Sequence, residues 1–502
     1  MLATIRSATL LGVEGRPISV EVHLSDASLP GFQMVGLPDE VCRGAHARAR
    51  AAVLSSRFVW PNVRITVNLA PSDQRKVGSA LDLPIALGVL VATEVVPAEA
   101  VEGLAFVGEL GLDGSLRPVA GIAPLVAALR PVTPVVPVAS AREAHGVVGE
   151  AMRVASSLHE LVGILAGDEP WPRIPDDVWD VEEPVVPDLS DVRGQAAARA
   201  GLEIAAAGGH HMLLVGPPGA GKTMLAQRLP GLLPALDPDT SLSATMVHSA
   251  AGVRLPSGGL VRHAPFRAPH HSSSMVSLVG GGNTFLRPGE ASLAHGGVLF
   301  LDEMGEFAPQ ALDALRQPLE EGVIRVARAR AHATLPARFL LIGATNPCPC
   351  GGGAPGSCEC DENARQRYVR RLSGPLLDRF DLRVGVHRPT VDELVSTGGG
   401  EPTATVRARV LAARARSLRR QGMLNAQIPA SALDDLAAVD TGAAALLRAQ
   451  LEADLLTGRG YHRVRRVART IADLAGAETV GEEHVAAALQ LRVRLGVSRR
   501  AA

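Results

Sequence analysis

A glycine-rich segment at residues 216–223 has the composition of a phosphate-binding loop. It follows the apolar run HMLLV, precedes the helical pattern MLAQRL, and consists of Gly216, Pro217, Pro218, Gly219, Ala220, Gly221, Lys222 and Thr223. In such a loop the glycines let backbone amides converge on phosphates, the lysine reaches the β and γ phosphates, and the threonine binds magnesium. Lys222 is one of two lysines, Lys76 being the other, in a chain whose remaining basic residues are arginines. The segment therefore predicts a site for ATP and Mg²⁺.

Two further apolar runs end in polar residues that suit the same reaction. GVLFL ends in Asp302 and Glu303, and RFLLIGAT ends in Asn346. Asp302 is expected to hold Mg²⁺ together with Thr223, while Glu303 polarises the attacking water and Asn346 helps to orient it. With the glycine-rich loop, these residues predict ATP hydrolysis.

Four cysteines fall within thirteen residues, as Cys348, Cys350, Cys358 and Cys360. Four thiolates from a glycine-rich loop provide the ligand set of a tetrahedral zinc site, and disulfides are disfavoured in the cytoplasm. The spacing is CxC rather than CxxC, so free thiols and reversible oxidation remain alternatives. We expect a structural zinc that stiffens the loop after Asn346.

The elements that position these residues belong to an α/β protein of several domains. Residues 1–165 alternate strand and helix patterns, 166–189 form an acidic, proline-rich linker, 190–390 alternate helices with apolar strands typical of a buried parallel sheet, and 391–502 show only helical periodicity. The last part includes ASALDDLAAVD as a predicted helix.

Charge and hydropathy limit the range of partners. The 502 residues carry a net charge of -1, which indicates no global field for nucleic acids or membranes, so any basic surface must be local. No apolar run is long enough to span a bilayer, and the amino terminus lacks the layout of a signal peptide. The chain is expected to be cytoplasmic, with no membrane partner.

Several segments resemble the magnesium-chelatase-like AAA+ ATPases of the YifB or ComM group. The resemblance rests on the segments DVRGQAAARAGLEIAAAGGHHMLLVGPPGAGKTMLA, PFRAPHHSSSMVSLVGGG, RPGEASLAHGGVLFLDEMGEF, LRQPLEEGVI, ATNPCPCG and SGPLLDRFDL. It implies an amino-terminal domain similar in fold to the Lon protease domain and to ribosomal protein S5 domain 2, a P-loop AAA+ core and a carboxy-terminal helical lid. It also implies a ring, expected to be a hexamer, with ATP sites between subunits.

The same resemblance assigns two arginines. Arg379 in LLDRFD matches the arginine finger supplied to the neighbouring subunit, with a surface ion pair to Asp378 or Asp381 as the alternative. Arg459 in TGRGYHRVRRVART best matches the sensor arginine of the lid, with Arg463 as its rival.

Aligning the amino-terminal domain with the Lon protease motif raises the possibility of proteolysis. The alignment places Ala80 where the nucleophilic serine should stand, with Ser79 one position early, and no lysine lies between Lys76 and Lys222. A serine–lysine dyad cannot be assembled in its usual order. We expect an inactive scaffold or binding domain.

Three kinds of work remain open for the ATPase. The resemblance implies a DNA motor for branch migration or helicase action on single-stranded or branched DNA in transformation or recombination; a chelatase motor and a protein-remodelling machine are the alternatives. The segment TATVRARVLAARARSLRRQ contains six arginines and no acid, including Arg414, Arg416, Arg419 and Arg420, which suits phosphate contacts, although they could instead pair with the acidic linker or with neighbouring subunits.

The insertion before Asp302 is the other candidate for substrate contact. Gly280, Gly281 and Gly282, with Phe285 and Arg287, resemble a flexible loop that in this group projects toward the ring pore. The adjacent His270 and His271 project to opposite sides, and no cysteine or carboxylate follows at useful spacing until Glu290, so we do not expect a metal site there.

Overall fold

The chain folds into a mixed α/β amino-terminal domain, a central domain with a parallel sheet, and a carboxy-terminal helical domain. The computed structural model describes residues 1–25, 29–174, 185–282, 286–328, 331–352, 358, 360–372, 374–395 and 399–493. Phe285 and much of the predicted linker lie outside these residues. No helix within the described ranges is long and apolar enough to cross a membrane.

The amino-terminal domain contains a four-stranded sheet in the order β1-β2-β4-β3, in which only β3 and β4 are parallel. Its inner face is apolar because alternate residues of β2 and β4 are buried. A parallel sheet β5-β8-β9 and a small hairpin β6-β7 complete the domain. The strands are β1 (Leu2–Leu11), β2 (Glu14–Ser25), β3 (Gly31–Val35), β4 (Arg64–Ala70), β5 (Leu104–Phe106), β6 (Glu109–Leu110), β7 (Leu116–Arg117), β8 (Thr133–Pro137) and β9 (Arg153–Ala155).

In the described part of this domain, six α-helices accompany these sheets. The third is buried along its whole length, as its uninterrupted apolar sequence requires. They are α1 (Glu40–Arg43), α2 (Ala45–Ser55), α3 (Asp82–Ala92), α4 (Ile122–Ala128), α5 (Ala141–Val148) and α6 (Leu158–Ala166).

The central domain has a five-stranded parallel sheet in the order β11-β12-β15-β10-β16, with a separate antiparallel hairpin, β13-β14. The sheet strands β10, β12 and β15 are buried at every residue, in agreement with their continuous apolar sequences. The strands are β10 (Met212–Val215), β11 (Phe266–Arg267), β12 (Val298–Leu301), β13 (Val323–Arg328), β14 (Ala331–Pro336), β15 (Leu340–Thr345) and β16 (Leu382–Gly385).

Ten α-helices belong to this domain among the residues that the structure describes. They are α7 (Ala196–Gly208), α8 (Lys222–Leu232), α9 (Pro238–Ala250), α10 (Met275–Val279), α11 (Glu290–Leu293), α12 (Pro309–Ala314), α13 (Arg316–Glu321), α14 (Glu362–Arg371), α15 (Gly374–Leu377) and α16 (Val391–Val395).

The amino-terminal and central domains share one hydrophobic core. Leu10 and Ile122 of the first domain belong to the same buried cluster as Val247 and Leu278 of the second. Ser249 adds polar contacts at this interface: its carbonyl accepts from the Gly121 amide at 2.9 Å and its hydroxyl from the Ala123 amide at 3.1 Å. These bonds satisfy amides at the start of α4 and fix that helix against α9.

The carboxy-terminal part contains helices α17 (Thr403–Gln421), α18 (Leu433–Leu436), α19 (Thr441–Glu452), α20 (Gly458–Ala475) and α21 (Glu482–Gln490). The predicted helix ASALDDLAAVD is shorter than expected: a 3₁₀ turn at Ala430–Ala432 leads into the four residues of α18. The buried Arg465 donates to the carbonyls of Leu433 and Ala437, at 2.8 and 2.9 Å. The Leu433 carbonyl also accepts from the Ala437 amide at 2.9 Å, so the guanidinium adds a second bond at the end of this short helix.

Candidate functional site

The carboxyl ends of three neighbouring parallel strands bring the predicted ATP-site residues together. Gly216 follows β10, Asp302 follows β12 and Asn346 follows β15, and these strands are adjacent in the sheet. Ligands of open parallel sheets bind at this edge because the connecting loops diverge there. At this edge the glycine-rich loop therefore meets Asp302, about 80 residues after Lys222, and Asn346, about 120 residues after it.

Lys222 lies at the centre of this arrangement. Its Nζ donates hydrogen bonds to the carbonyls of Gly216 at 2.8 Å and Pro217 at 3.0 Å, and to Asn346 Oδ1 at 3.1 Å. Burial lowers the pKa of Lys222, whereas the charges of Asp302 and Glu303 act in the opposite direction. The lysine thus connects the loop to the candidate water-orienting amide.

The loop itself requires glycine. Gly219 and Gly221 have φ values of 76° and 86°, in the left-handed region that favours glycine. Gly221 directly precedes α8, so the loop presents the amino-terminal amides of that helix to the site.

Thr223 and Asp302 form the candidate magnesium position. The Thr223 hydroxyl donates to Asp302 Oδ2 at 2.6 Å, so the hydroxyl and carboxylate are already side by side. Both are oxygen ligands of the kind that Mg²⁺ prefers, and this donor set fits the ion.

Glu303 occupies an unusual backbone conformation directly after this carboxylate. Its φ of 49° and ψ of 45° lie in the left-handed region, which is uncommon for a residue with a side chain. Its amide donates to Asp302 Oδ1 at 2.9 Å, and its side chain is 57% exposed. The turn projects the two neighbouring carboxylates in different directions.

His271 is a contact of this site that the sequence analysis did not predict. Its Nδ1 lies 3.1 Å from Glu303 Oε2, while its ring packs on that of His270 with centroids 4.0 Å apart, so the expectation that the two side chains project to opposite sides is wrong. His270 is instead bonded to Ser272 through its own Nδ1, at 2.8 Å. No local spacing in the sequence indicates this contact. It joins the segment after β11 to the end of β12, and only the pairing of those two strands brings the segments together.

The four cysteines converge beside the same site. The Sγ atoms of Cys348, Cys350 and Cys358 are 3.4–3.5 Å apart, and those of all four lie within 4.8 Å of one another. Four sulfurs placed about 2.3 Å from a tetrahedral zinc are about 3.8 Å apart, so the cluster has the right size and chemistry. A Cβ added to Gly351 would come within 2.7 Å of Pro218, so the cysteine loop packs directly on the phosphate loop.

Arg379 lies at the opposite edge of the sheet. It precedes β16, whose first residue, Leu382, pairs with Met212 at the start of β10. A four-residue strand spans about 13 Å, so the strand length separates this arginine from the phosphate loop of its own subunit. The guanidinium forms an ion pair with Glu320, not with the neighbouring Asp378 or Asp381.

Arg459 and Arg463 lie at this same amino edge. Arg459 is 79% exposed and approaches Asp378 Oδ2 at 3.6 Å. Arg463 donates to Asp381 Oδ1 at 2.6 Å and to the Arg379 carbonyl at 3.0 Å. Arg463, the other candidate for the sensor arginine, therefore supports the backbone of Arg379, whereas Arg459 has an exposed guanidinium.

The arginines of α17 largely serve the fold, contrary to the expectation of a row of phosphate contacts. Arg414 donates to the Ala206 carbonyl at 2.6 Å, Arg416 to the Asp473 carbonyl at 2.6 Å, and Arg420 to the Asp473 carboxylate at 2.7 and 2.9 Å. Burial lowers the pKa of Arg414 to about 10. Because α17 packs against α7 and α20, its long side chains meet their carbonyls and carboxylates; Arg419 is exposed.

The glycine-rich insertion closes on itself as a short loop. Gly281 and Arg287 pair as an antiparallel bridge, with reciprocal amide–carbonyl bonds of 3.0 Å. Phe285 falls between them, outside the described residues.

In the described part of the amino-terminal domain, Ser79 and Lys76 do not pair with each other. Ser79 donates to the Glu109 carboxylate, and the fully buried Lys76 donates to the carbonyls of Pro71 and Gln74. Lys76 therefore organises its own loop.

The parallel sheet, the phosphate loop and the Asp302–Glu303 pair define a P-loop nucleotide-binding domain of the AAA class. Models of three parts of the magnesium chelatase subunit ChlI match the chain: Subunit ChlI of Mg-chelatase at 20–139, Magnesium chelatase, subunit ChlI at 188–394, and its C-terminal part at 400–492. The chain belongs to this magnesium chelatase ChlI-like family, within the YifB/ComM group, and its AAA domain implies ATPase activity.

Relatives span nearly the whole chain. It is 42% identical to the competence protein ComM of Haemophilus influenzae, over 98% of this chain and 97% of that protein. It is 41% identical to the uncharacterised protein YifB of Escherichia coli, over 98% and 97%. A shorter match, 29% identical over 34% of this chain and 21% of the other, is to a probable DNA helicase MCM9 of Oryza sativa.

Proposed function

We propose that this protein is an ATP-driven ring motor that acts on single-stranded or branched DNA. The observation that carries the ATPase part is the cluster at the carboxyl edge of the sheet, where Lys222 bonds to Asn346 and Thr223 bonds to Asp302. Glu303 follows on an exposed turn where a water could reach it.

Each residue has a distinct task in this proposal. Lys222 and the amides of the loop hold the phosphates, and Thr223 and Asp302 hold Mg²⁺, which when bound neutralises charge on the phosphate oxygens. Glu303 accepts a proton from the attacking water and Asn346 orients that water.

Assembly into a ring, a hexamer in this proposal, is supported by the position of Arg379 and Arg459. Both lie at the amino edge, where strand length keeps them from their own phosphate loop. A neighbouring subunit packed against that edge would receive Arg379 at its γ phosphate and Arg459 as its sensor arginine.

Action on DNA is supported by the names of two relatives, a competence protein and a probable DNA helicase. The arginines that would meet phosphates are not those of α17, since three of its four candidates are bonded internally. A chelatase motor is the second candidate, because the matching family models are those of a magnesium chelatase subunit.

The cysteine cluster is proposed to hold a structural zinc. Its four sulfurs form the donor set that zinc prefers, and its loop packs on the phosphate loop through Gly351 and Pro218. Zinc there would hold the backbone after Asn346 without taking part in hydrolysis.

The test is ATP turnover by the assembled protein with single-stranded, duplex or branched DNA, with protoporphyrin, and with an unfolded peptide. The DNA proposal expects stimulation by single-stranded or branched DNA alone. Stimulation by protoporphyrin only would favour the chelatase candidate, and no turnover under any condition would contradict the ATPase assignment. Glu303→Gln serves as the control that binds ATP without hydrolysing it.

A further inference from the structure

The amino-terminal domain carries a basic face on helices α1 and α2. Between Val41 and Val63 the sequence contains four arginines and no aspartate or glutamate, although the net charge of the whole chain is -1. Arg48 is used internally, since it donates to Asp82 at 2.6 and 2.8 Å. The concentration of charge is therefore local.

The three remaining arginines point outward on one side of this helical segment. Arg43, Ala47, Arg50 and Leu54 are all exposed and recur at helical spacing, and the exposed Arg57 follows just after α2. Among the described residues, Arg43, Arg50 and Arg57 take part in no salt bridge. Glu40, at the start of α1, is the acid next to them in sequence.

A column of rings lies beside this arginine stripe. The rings of Phe32 and His46 stack with centroids 4.1 Å apart, and those of His46 and Trp60 are 5.9 Å apart. Phe32 and Trp60 are half-buried against the domain core, and burial together with the charge of Arg50 lowers the pKa of His46. Three rings in contact are notable in a chain with only 3% aromatic residues.

We propose that this face, formed by Arg43, Arg50 and Arg57 with Phe32, His46 and Trp60, binds single-stranded DNA. The arginines supply cations for the phosphate backbone. The rings of Phe32 and Trp60, at the two ends of the column, supply faces on which unpaired bases stack. A duplex keeps its bases stacked on one another, so the ring column favours a single strand. This proposal rests on DNA being the substrate of the motor and assigns part of the contact to the amino-terminal domain.

The opposite side of the same sheet provides a matched control. Arg6 of β1 and Arg64 of β4 are at exposed positions of their strands. Phe32, in contrast, pairs in register with Ile65, which is buried on the inner side of the sheet. Replacing either pair of arginines by glutamine removes the same charge from the same domain.

The experiment compares Arg50→Gln/Arg57→Gln with Arg6→Gln/Arg64→Gln in the full-length assembled protein. Binding of a labelled oligothymidylate is measured against salt, with ring mass and basal ATP turnover as parallel readouts. Each lost phosphate contact should lower the slope of log affinity against log salt by about 0.7, only in the first variant. Unchanged ring mass and basal turnover are expected in both.

Trp60→Ala tests the stacking part. It should weaken oligothymidylate binding by about fivefold to a hundredfold with little change in salt slope or duplex binding. Trp171→Ala is its control, because Trp171 also packs at the edge of the same core. Equal thermal unfolding of the two variants separates lost stacking from lost folding.

The outcomes separate this proposal from the proposed function. If the wild-type ring binds oligothymidylate and the Arg50→Gln/Arg57→Gln variant keeps the wild-type slope of log affinity against log salt, this face is not the DNA site. The proposed action of the motor on DNA would be unaffected by that result. Equal loss in both arginine variants, or loss of ring mass in the first, would also overturn the assignment. No DNA binding by the wild-type ring, even at low salt, would refute the DNA motor itself.

Discussion

At the scale of single residues, the ATP site separates binding from hydrolysis. Lys222 is bonded to loop carbonyls and to Asn346, whereas Glu303 lies on an exposed turn. Lys222→Ala should abolish nucleotide binding, but Glu303→Gln should keep it and lower turnover at least about a hundredfold, the usual contribution of an acid–base group. Equilibrium binding of a labelled nucleotide and steady-state turnover check this, and equal loss of binding in both variants would contradict the division of roles.

His271 restrains the Glu303 carboxylate through the 3.1 Å contact. A carboxylate held by such a hydrogen bond must break it before turning toward the attacking water, and one such bond is worth about 1 kcal/mol, or about fivefold in rate. His271→Ala should therefore raise basal turnover about fivefold without changing ATP affinity. His270→Ala is the matched control, since its ring is bonded to Ser272, and an unchanged or lower rate for His271→Ala would refute the restraint.

At the scale of elements, α17 contributes to stability through its arginines. The Asp473 carboxylate is almost fully buried and accepts from Arg420, Arg469 and Asn425 at 2.7–2.9 Å. Arg420→Gln should lower the free energy of unfolding by about 1.5–3 kcal/mol, because it removes hydrogen bonds to a buried charge.

Arg419→Gln is the control for that prediction. Arg419 is adjacent in sequence but forms no side-chain hydrogen bond or ion pair with the described residues, so the change should stay within about 0.5 kcal/mol. Denaturant unfolding measures the free energy of unfolding of both variants. Equal values would show that the Arg420–Asp473 pair contributes nothing measurable to stability.

The cysteine loop is the second element with a testable role. Protein purified without chelator should contain one zinc per chain, lost in a Cys350→Ser/Cys358→Ser variant. Metal occupancy should decrease as the pH is lowered, because protons compete with zinc for the thiolates. Cys42→Ser is the control, since the buried Cys42 lies in another domain. A metal-free protein that is fully active and stable would refute the site.

At the scale of the whole molecule, the proposed ring would complete each active site with Arg379 of a neighbouring subunit. Arg379→Ala should bind ATP but hydrolyse it about 10³-fold more slowly, as for other arginine fingers. Mixing it with Lys222→Ala should restore part of the turnover, since each protein supplies what the other lacks. Mixed rings demonstrated by mass, with activity no higher than either parent, would exclude action across subunits.

Much of the central domain follows directly from local sequence. The runs HMLLV, GVLFL and RFLLIGAT are continuous apolar segments, and each is a buried strand of the parallel sheet. Glycine placement and the single lysine of the loop likewise indicated the phosphate site, because the backbone geometry and charge that phosphates require are encoded within eight consecutive residues.

Tertiary structure alone decided which charged side chains are available. Arg420 and Arg419 are neighbours in the same helix, yet one is bonded to Asp473 and the other is exposed. His271 meets Glu303, and Arg379 meets Glu320, across distances in sequence that no periodicity spans. Local pattern specifies the face on which a residue lies, whereas its partner depends on which other element packs against that face.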